Sequence, residues 1–238
     1  MGEETTAWWR VLGGWYCEAG RSVSRRAWPI GVGLACVLAL AAGLALSGAD
    51  RAIADGITAD RPEGMIAFAK SASKWGELHL APFVALLVLG GLGAWAGRSR
   101  WLFAAIAGLL GGTTAGLIAL FFKAVLGRPR PSMNAVDELT WFARASGFQS
   151  FPSGHATHCF GVAVAVLVLA PRWGAGFVAA AGLVAWSRMY VGSHYLSDVL
   201  AGAALGTLVG AVLALAIRRW LENRAAGISE VNRLNLLK

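Results

Sequence analysis

Four short clusters in this 238-residue sequence hold side chains suited to gripping and attacking a tetrahedral anion. Lys123 is followed by Arg128 and Arg130. Ser153, Gly154 and His155 stand side by side, and Arg188 precedes His194 and Asp198. Arg130 and Arg188 offer forked donors that match phosphate oxygens, and Lys123 adds a compact charge. Pro152 fits the start of a helix, where outward-pointing N–H groups carry partial positive charge, and small Ser153 and Gly154 let an anion reach them. His194 and Asp198, four residues apart, share a face if that segment is helical. The aspartate would then fix the tautomer and leave the other ring nitrogen nucleophilic. His155 is a second histidine, suited to giving a proton to the leaving oxygen. Asp198 is the lone carboxylate among these clusters, so neither a catalytic metal nor another cofactor is expected.

The elements that must hold these residues are apolar. Hydrophobic residues make up 57% of the chain and charged ones only 14%, against roughly a quarter in soluble domains. Charge-free runs cover residues 27–49, 78–97, 101–122, 154–170, 173–187 and 199–217. A helix needs about 20 residues to cross a hydrocarbon core of about 30 Å. The expectation is therefore all-α, a bundle of six transmembrane helices with short interfacial helices beside it. Abundant Gly and Ala suit close helix packing in lipid.

Lys and Arg set the orientation. With the N-terminus inside, twelve of the 21 fall on the inner side and nine outside, and four of those nine (Lys123, Arg128, Arg130, Arg188) belong to the clusters. Both termini are thus expected in the cytoplasm. Odd spans then run outward and even spans inward, which gathers all four clusters at the extracytoplasmic face. The net charge of +8 is explained by this bias, and no zinc pattern or basic recognition helix points to nucleic acid. Cys17, Cys36 and Cys159 form neither a disulfide framework nor a metal knuckle. The expected organisation is a cytoplasmic N-terminal segment (1–26), a six-span domain (27–219) and a cytoplasmic tail (220–238).

Several flanking features read as packing or anchoring. Trp8, Leu12, Trp15, Tyr16 and Ala19 recur at helical spacing, as on a helix lying in the cytoplasmic interface, and Met65, Ile66, Phe68 and Ala69 suggest the same outside. Arg128 reads as a solvated or headgroup-contacting arginine, His158 as a core residue, and His79 as an interface residue. Trp141, Phe142, Phe148 and Phe151 precede Ser153 and suit either an acyl contact or simple packing of the loop.

Lys123 to Pro131 matches the pattern K-x6-R-P, Pro152 to His155 matches P-S-G-H, and Ser187 to Asp198 matches S-R-x5-H-x3-D. In these motifs and their order the chain resembles the type 2 phosphatidic acid phosphatase family, which includes lipid phosphatases and shares its site with vanadium haloperoxidases. The resemblance covers residues 123–198. It implies that His194 attacks phosphorus, Asp198 orients it and His155 protonates the leaving group, with Lys123, Arg130, Arg188, Ser153 and the Gly154 amide holding the phosphate. Spacing from Lys123 selects Arg130, not Arg128, as the phosphate ligand.

The expected activity is metal-independent hydrolysis of a lipid phosphomonoester or diphosphate at the outer face of the inner membrane, with a lipid phosphate substrate and membrane lipids as partners. A prenyl diphosphate such as undecaprenyl diphosphate is favoured because an outward-facing site matches where a spent carrier diphosphate is released. Phosphatidic acid or phosphatidylglycerol phosphate follows closely, and a lipid A phosphatase is a third reading. A phosphotransferase would use the same site, and a transporter exploiting intramembrane charge is the rival outside enzymes.

Overall fold

The computed structural model describes residues 31–76, 80–133, 139–143 and 145–236. Within them all regular structure is helical, as the sequence led us to expect: α1 (Gly31–Leu46), α2 (Ala49–Ala59), α3 (Glu63–Gly76), α4 (Leu80–Trp95), α5 (Ser99–Leu126), α6 (Gly154–Leu169), α7 (Pro171–Tyr190) and α8 (Leu196–Leu236). Short 3-10 turns occupy Pro131–Met133 and Ser146–Phe148.

α6 is the central helix, packed against α5, α7 and α8. Its sequence explains this, because Ala156, Val162, Ala163, Ala165 and Val166 bury nearly all of their surface. Among lipid tails such helices associate by close packing more than by water exclusion. At Gly206 and Gly210 a side chain would run into the Thr157 carbonyl and the Gly161 backbone, so α8 lies almost main chain to main chain on α6. The outward faces are apolar instead, with Leu87, Leu117, Leu120 and Phe121 all exposed, as suits contact with lipid.

By length and composition α5 and α8 can each cross a membrane, and the α1–α2 pair adds a third crossing if it is one bent span. The apolar parts of α4 and α6 are shorter helices, so six full-length crossings are not what the helix lengths deliver. The first expected span ends early: Gly48 takes a left-handed turn, φ 73°, and α2 leaves α1 at 81°. The last runs on, since α8 continues through position 219 to Leu236 with an Arg218–Glu222 ion pair of 3.2 Å along it. The expected boundary between domain and tail therefore falls inside a helix.

The segment around Met65 to Ala69 forms part of α3, whose Phe68 ring lies 6.2 Å from that of Trp186 on α7. The expected N-terminal interfacial helix and His79 lie outside the described residues. At one end of the bundle Trp101 meets Trp173 edge-on at 5.6 Å, and Arg98 covers Trp101. The chemistry gathers at the other end, where α5 and α7 finish and α6 and α8 begin.

Candidate active site

The loop after α5 is built by backbone pairing. The Arg130 N–H donates to the Gly147 carbonyl at 2.8 Å, and the Ser150 N–H donates to the Arg128 carbonyl at 2.9 Å. Lys123, in the last turn of α5, donates to the Gln149 carbonyl at 2.5 Å. These bonds draw the 145–150 segment over the start of α6. There Ser153 is the N-cap in an extended conformation, but its hydroxyl makes no cap bond. A Cβ on Gly154 would sit 3.4 Å from Cε of Lys123, so the lysine stem crosses the helix start.

The turn from α7 to α8 places the nucleophile candidate. Gly192 adopts φ 71°, a conformation glycine takes without steric penalty. The Ser193 and His194 N–H groups then both donate to the Arg188 carbonyl, at 3.0 and 3.2 Å. His194 is thereby held next to Arg188 and is only 2% exposed. Burial pushes its imidazole down to about 4, so the ring is neutral near pH 7 and keeps a free lone pair.

Asp198, in the first turn of α8, is fully buried and saturated with donors. Its Oδ2 accepts from Ser150 Oγ at 2.6 Å and from the Tyr195 N–H at 2.9 Å, while Oδ1 accepts from Arg128 Nη1 at 2.7 Å. His194 Nδ1 stands 3.6 Å from Oδ2, beyond hydrogen-bond range, and 3.5 Å from Ser150 Oγ. The Nδ1 edge of the ring thus faces the acid, and Nε2 is left for chemistry. The Ser153 N–H donates to the Asp198 carbonyl at 3.0 Å, tying the start of α6 to the first turn of α8.

The remaining site residues converge on the same place. Lys123 feels the charges of Arg130, Arg188 and Asp198, and His155 those of Arg188, His194, Lys123 and Arg130. Arg188 Nη1 donates to Ser73 of α3. Among the described residues Arg130 Nε, Ser153 Oγ and His155 Nε2 are buried with no hydrogen-bond partner in the protein. Buried donors are seldom left this way, and a bound tetrahedral anion would satisfy them. All eight residues singled out in the sequence (Lys123, Arg130, Ser153, Gly154, His155, Arg188, His194, Asp198) are brought to this one end of the bundle.

Arg128 corrects the reading from sequence. It is 4% exposed and faces inward, not toward solvent or headgroups. It pairs with Asp198 at 2.7 Å and with Asp50 at 3.1 Å, because a guanidinium taken out of water requires acidic partners. Asp50 and Ser150 were not singled out as site residues from the sequence; the one sign of Asp50 was an acid bordering an apolar run. His158 packs as a core residue against α5 near Gly112. Among the loop aromatics Trp141 and Phe142 are exposed, and Phe151 lines an apolar groove of about 380 Å³ with Leu38, Ala41 and Leu46 of α1.

An apolar-surfaced helical bundle, with cationic side chains and a buried histidine–aspartate pair gathered at one set of helix ends, is the architecture of the chain. The chain belongs to the PAP2 superfamily, whose family model matches residues 101–222. It is 38% identical over 107 residues to a lipid A 1-phosphatase of Rhizobium johnstonii, covering 44% of this chain and 44% of that protein. It is 35% identical over 155 residues to a decaprenylphosphoryl-5-phosphoribose phosphatase of Mycobacterium tuberculosis, covering 65% of this chain and 81% of that one. The chain thus spans less than half the length of the Rhizobium relative it matches. In fold it is similar to the crystal structure of a transmembrane PAP2 type phosphatidylglycerolphosphate phosphatase from Bacillus subtilis, with a TM-score of 0.54 and 20% identity over 79% of this chain and 95% of that one.

Proposed function

We propose that this protein is an integral membrane phosphatase that hydrolyses a lipid phosphate through a phosphohistidine on His194. The observation that carries the reading is the pairing of a neutral, buried His194, Nδ1 edge toward Asp198, with the unfilled donors of Arg130, Ser153 and His155 beside it. In the first step Nε2 of His194 bonds to phosphorus and the bond from phosphorus to the lipid oxygen breaks, with a proton from His155 going to that oxygen. In the second, a water oxygen bonds to phosphorus as the bond from phosphorus to Nε2 of His194 breaks, a proton of that water passes to His155, and inorganic phosphate leaves. Lys123, Arg130, Arg188, Ser153 and the Gly154 amide spread the charge of the phosphoryl oxygens in both. Each step uses the protein's own groups, so a metal is not required.

The helices cross the inner membrane six times in this reading, the shorter ones included, with both termini cytoplasmic and the site outside. Phosphorylated polyprenyl lipids, prenyl diphosphates among them, are the favoured substrates. Supporting this are the similarity to the decaprenylphosphoryl-5-phosphoribose phosphatase over most of that protein's length and the apolar groove that reaches Phe151, next to the Pro152–Ser153 segment. The second reading, a lipid A phosphatase, is favoured by the higher identity to the Rhizobium protein.

The test is phosphate release by purified protein in detergent, with chelator present, from prenyl diphosphate, phosphatidate, phosphatidylglycerol phosphate and lipid A. Rapid quenching should trap acid-labile phosphate on the wild-type chain and none on His194→Ala, and vanadate, which takes the trigonal bipyramidal shape of the transition state, should inhibit. Activity that needs added magnesium, or phosphate trapped equally on His194→Ala, would overturn the mechanism.

A further inference from the structure

The aspartate behind His194 is held from outside its own helix. Arg128 Nη1 donates to Asp198 Oδ1 and to Ser197 Oγ, each at 2.7 Å, while Nη2 donates to Asp50 Oδ2 at 3.1 Å. Ser197 Oγ donates in turn to Asp50 Oδ2, and the Ser197 N–H donates to Asp50 Oδ1 at 3.1 Å. The guanidinium lies over the Tyr195 ring at 4.3 Å. Asp50, Arg128, Ser197 and Asp198 are all nearly or fully buried.

We infer that Asp50 and Arg128 are positioning residues for the phosphoryl transfer, which fix Asp198 and through it the ring of His194. The inference rests on the proposed phosphatase reading. Its first ground is which oxygen is taken. Arg128 Nη1 donates to Oδ1, and with Oδ2 taken by Ser150 and the Tyr195 N–H and facing His194, this sets the plane of the carboxylate. Its second ground is the arginine's own anchorage. A guanidinium with one acidic neighbour would settle wholly on that neighbour; Asp50 holds the other nitrogen and fixes the fork between two acids. Asp50 also accepts from a free N–H at the start of α8, where a carboxylate is favoured.

The third ground is where Asp50 comes from. It lies outside residues 101–222, which the family model matches, and it reaches the site because the chain bends by 81° at Gly48. A purely structural clip would gain little from ions at this depth, since a well-packed apolar set does as well or better. Aiming an acid at a nucleophile does require them.

The experiment uses the full chain in detergent and compares wild type, Asp50→Asn, Arg128→Lys and the double variant. It reads kcat, KM, inhibition by inorganic phosphate, which binds without bonding to nitrogen, and inhibition by vanadate, which bonds to it. Partners that orient the ligands of a metal are typically worth about 10–100-fold in activity, and partners that orient Asp198 are expected on the same scale. Asp50→Asn should lower kcat about tenfold and Arg128→Lys more, within that range. Inhibition by phosphate should stay within about twofold while vanadate weakens in step with kcat, and the double variant should lose less than the product of the singles. Unchanged kcat in both single variants, or equal weakening of phosphate and vanadate, would overturn the inference. A wild-type chain that releases no phosphate would instead sink the phosphatase reading on which it rests.

Discussion

Ser150 Oγ lies 2.6 Å from Asp198 Oδ2 and 3.5 Å from His194 Nδ1, so a hydroxyl stands at the junction where the acid and the imidazole would otherwise meet. It donates to the carboxylate and has lone pairs to accept from the ring, and so links two groups that are 3.6 Å apart. Removing it should loosen the ring without altering the cationic pocket. Ser150→Ala is expected to lower kcat about tenfold, the lower end of what a supporting residue is worth, with KM nearly unchanged. Steady-state kinetics at saturating lipid decides it, and an effect confined to KM would show that the hydroxyl binds phosphate instead.

The two arginines of the R-P pairs should fail in different ways. Arg130, with a buried Nε awaiting a partner, is expected to hold phosphate. Arg130→Lys should weaken inhibition by inorganic phosphate, because an ammonium cannot reproduce the fork; a lost charged hydrogen bond of about 1.5–3 kcal/mol corresponds to roughly 10–100-fold. Titration with phosphate in the lipid assay separates this from the kcat defect expected at Arg128.

His155 should matter in proportion to how badly the leaving oxygen needs a proton. An alkyl monoester such as a phosphatidate is expected to lose about 10²–10⁴-fold in His155→Ala. p-Nitrophenyl phosphate, whose leaving group departs unprotonated, should lose far less, and a prenyl diphosphate should fall between. His194→Ala should abolish all three by several orders of magnitude, because every substrate needs the nucleophile. A flat profile across substrates in His155→Ala would mean that it only holds the phosphate.

Topology is checked by cysteine labelling in a chain freed of its native cysteines. Met133, exposed just beyond Arg130, should become reactive from outside when replaced by Cys, and Trp173, at the start of α7, only from the cytoplasm. The opposite pattern would place the site in the cytoplasm and exclude the proposed access to outer-leaflet lipids.

That the candidate site residues would gather was legible because they are concentrated. Lys123, Ser153, His155, Arg188, His194 and Asp198 are polar residues in a chain only 14% charged, and they stand where apolar runs begin or end. Alternating helix direction was enough to bring them together. Asp50 was not legible, because its partners Arg128 and Ser197 lie 78 and 147 positions away in sequence. As the edge of an apolar run it looked like an ordinary span boundary. Arg128 was misread for the same reason: spacing names one phosphate ligand but does not reveal where the other arginine turns. Helix limits fared worse where a single residue decides them. The Gly48 bend shortened the first run, and the last helix runs on past Arg218, which pairs with Glu222 along it.

The contact of α8 with α6 at Gly206 and Gly210 has a bearing on how the protein can vary. The turn that carries His194 leads into one of these helices and Ser153 and Gly154 open the other, so in the proposed reaction the gap between His194 and a bound phosphate would be gauged by bare main chain. A misplacement of about 1 Å can lower a reaction rate about 10²-fold, and even a methyl group at either glycine would pry the helices apart near that scale. The lipid-facing residues and the apolar groove beside Phe151 can change without touching this contact. The calibration of the reacting distance survives all of this, since it depends on side chains that are not there.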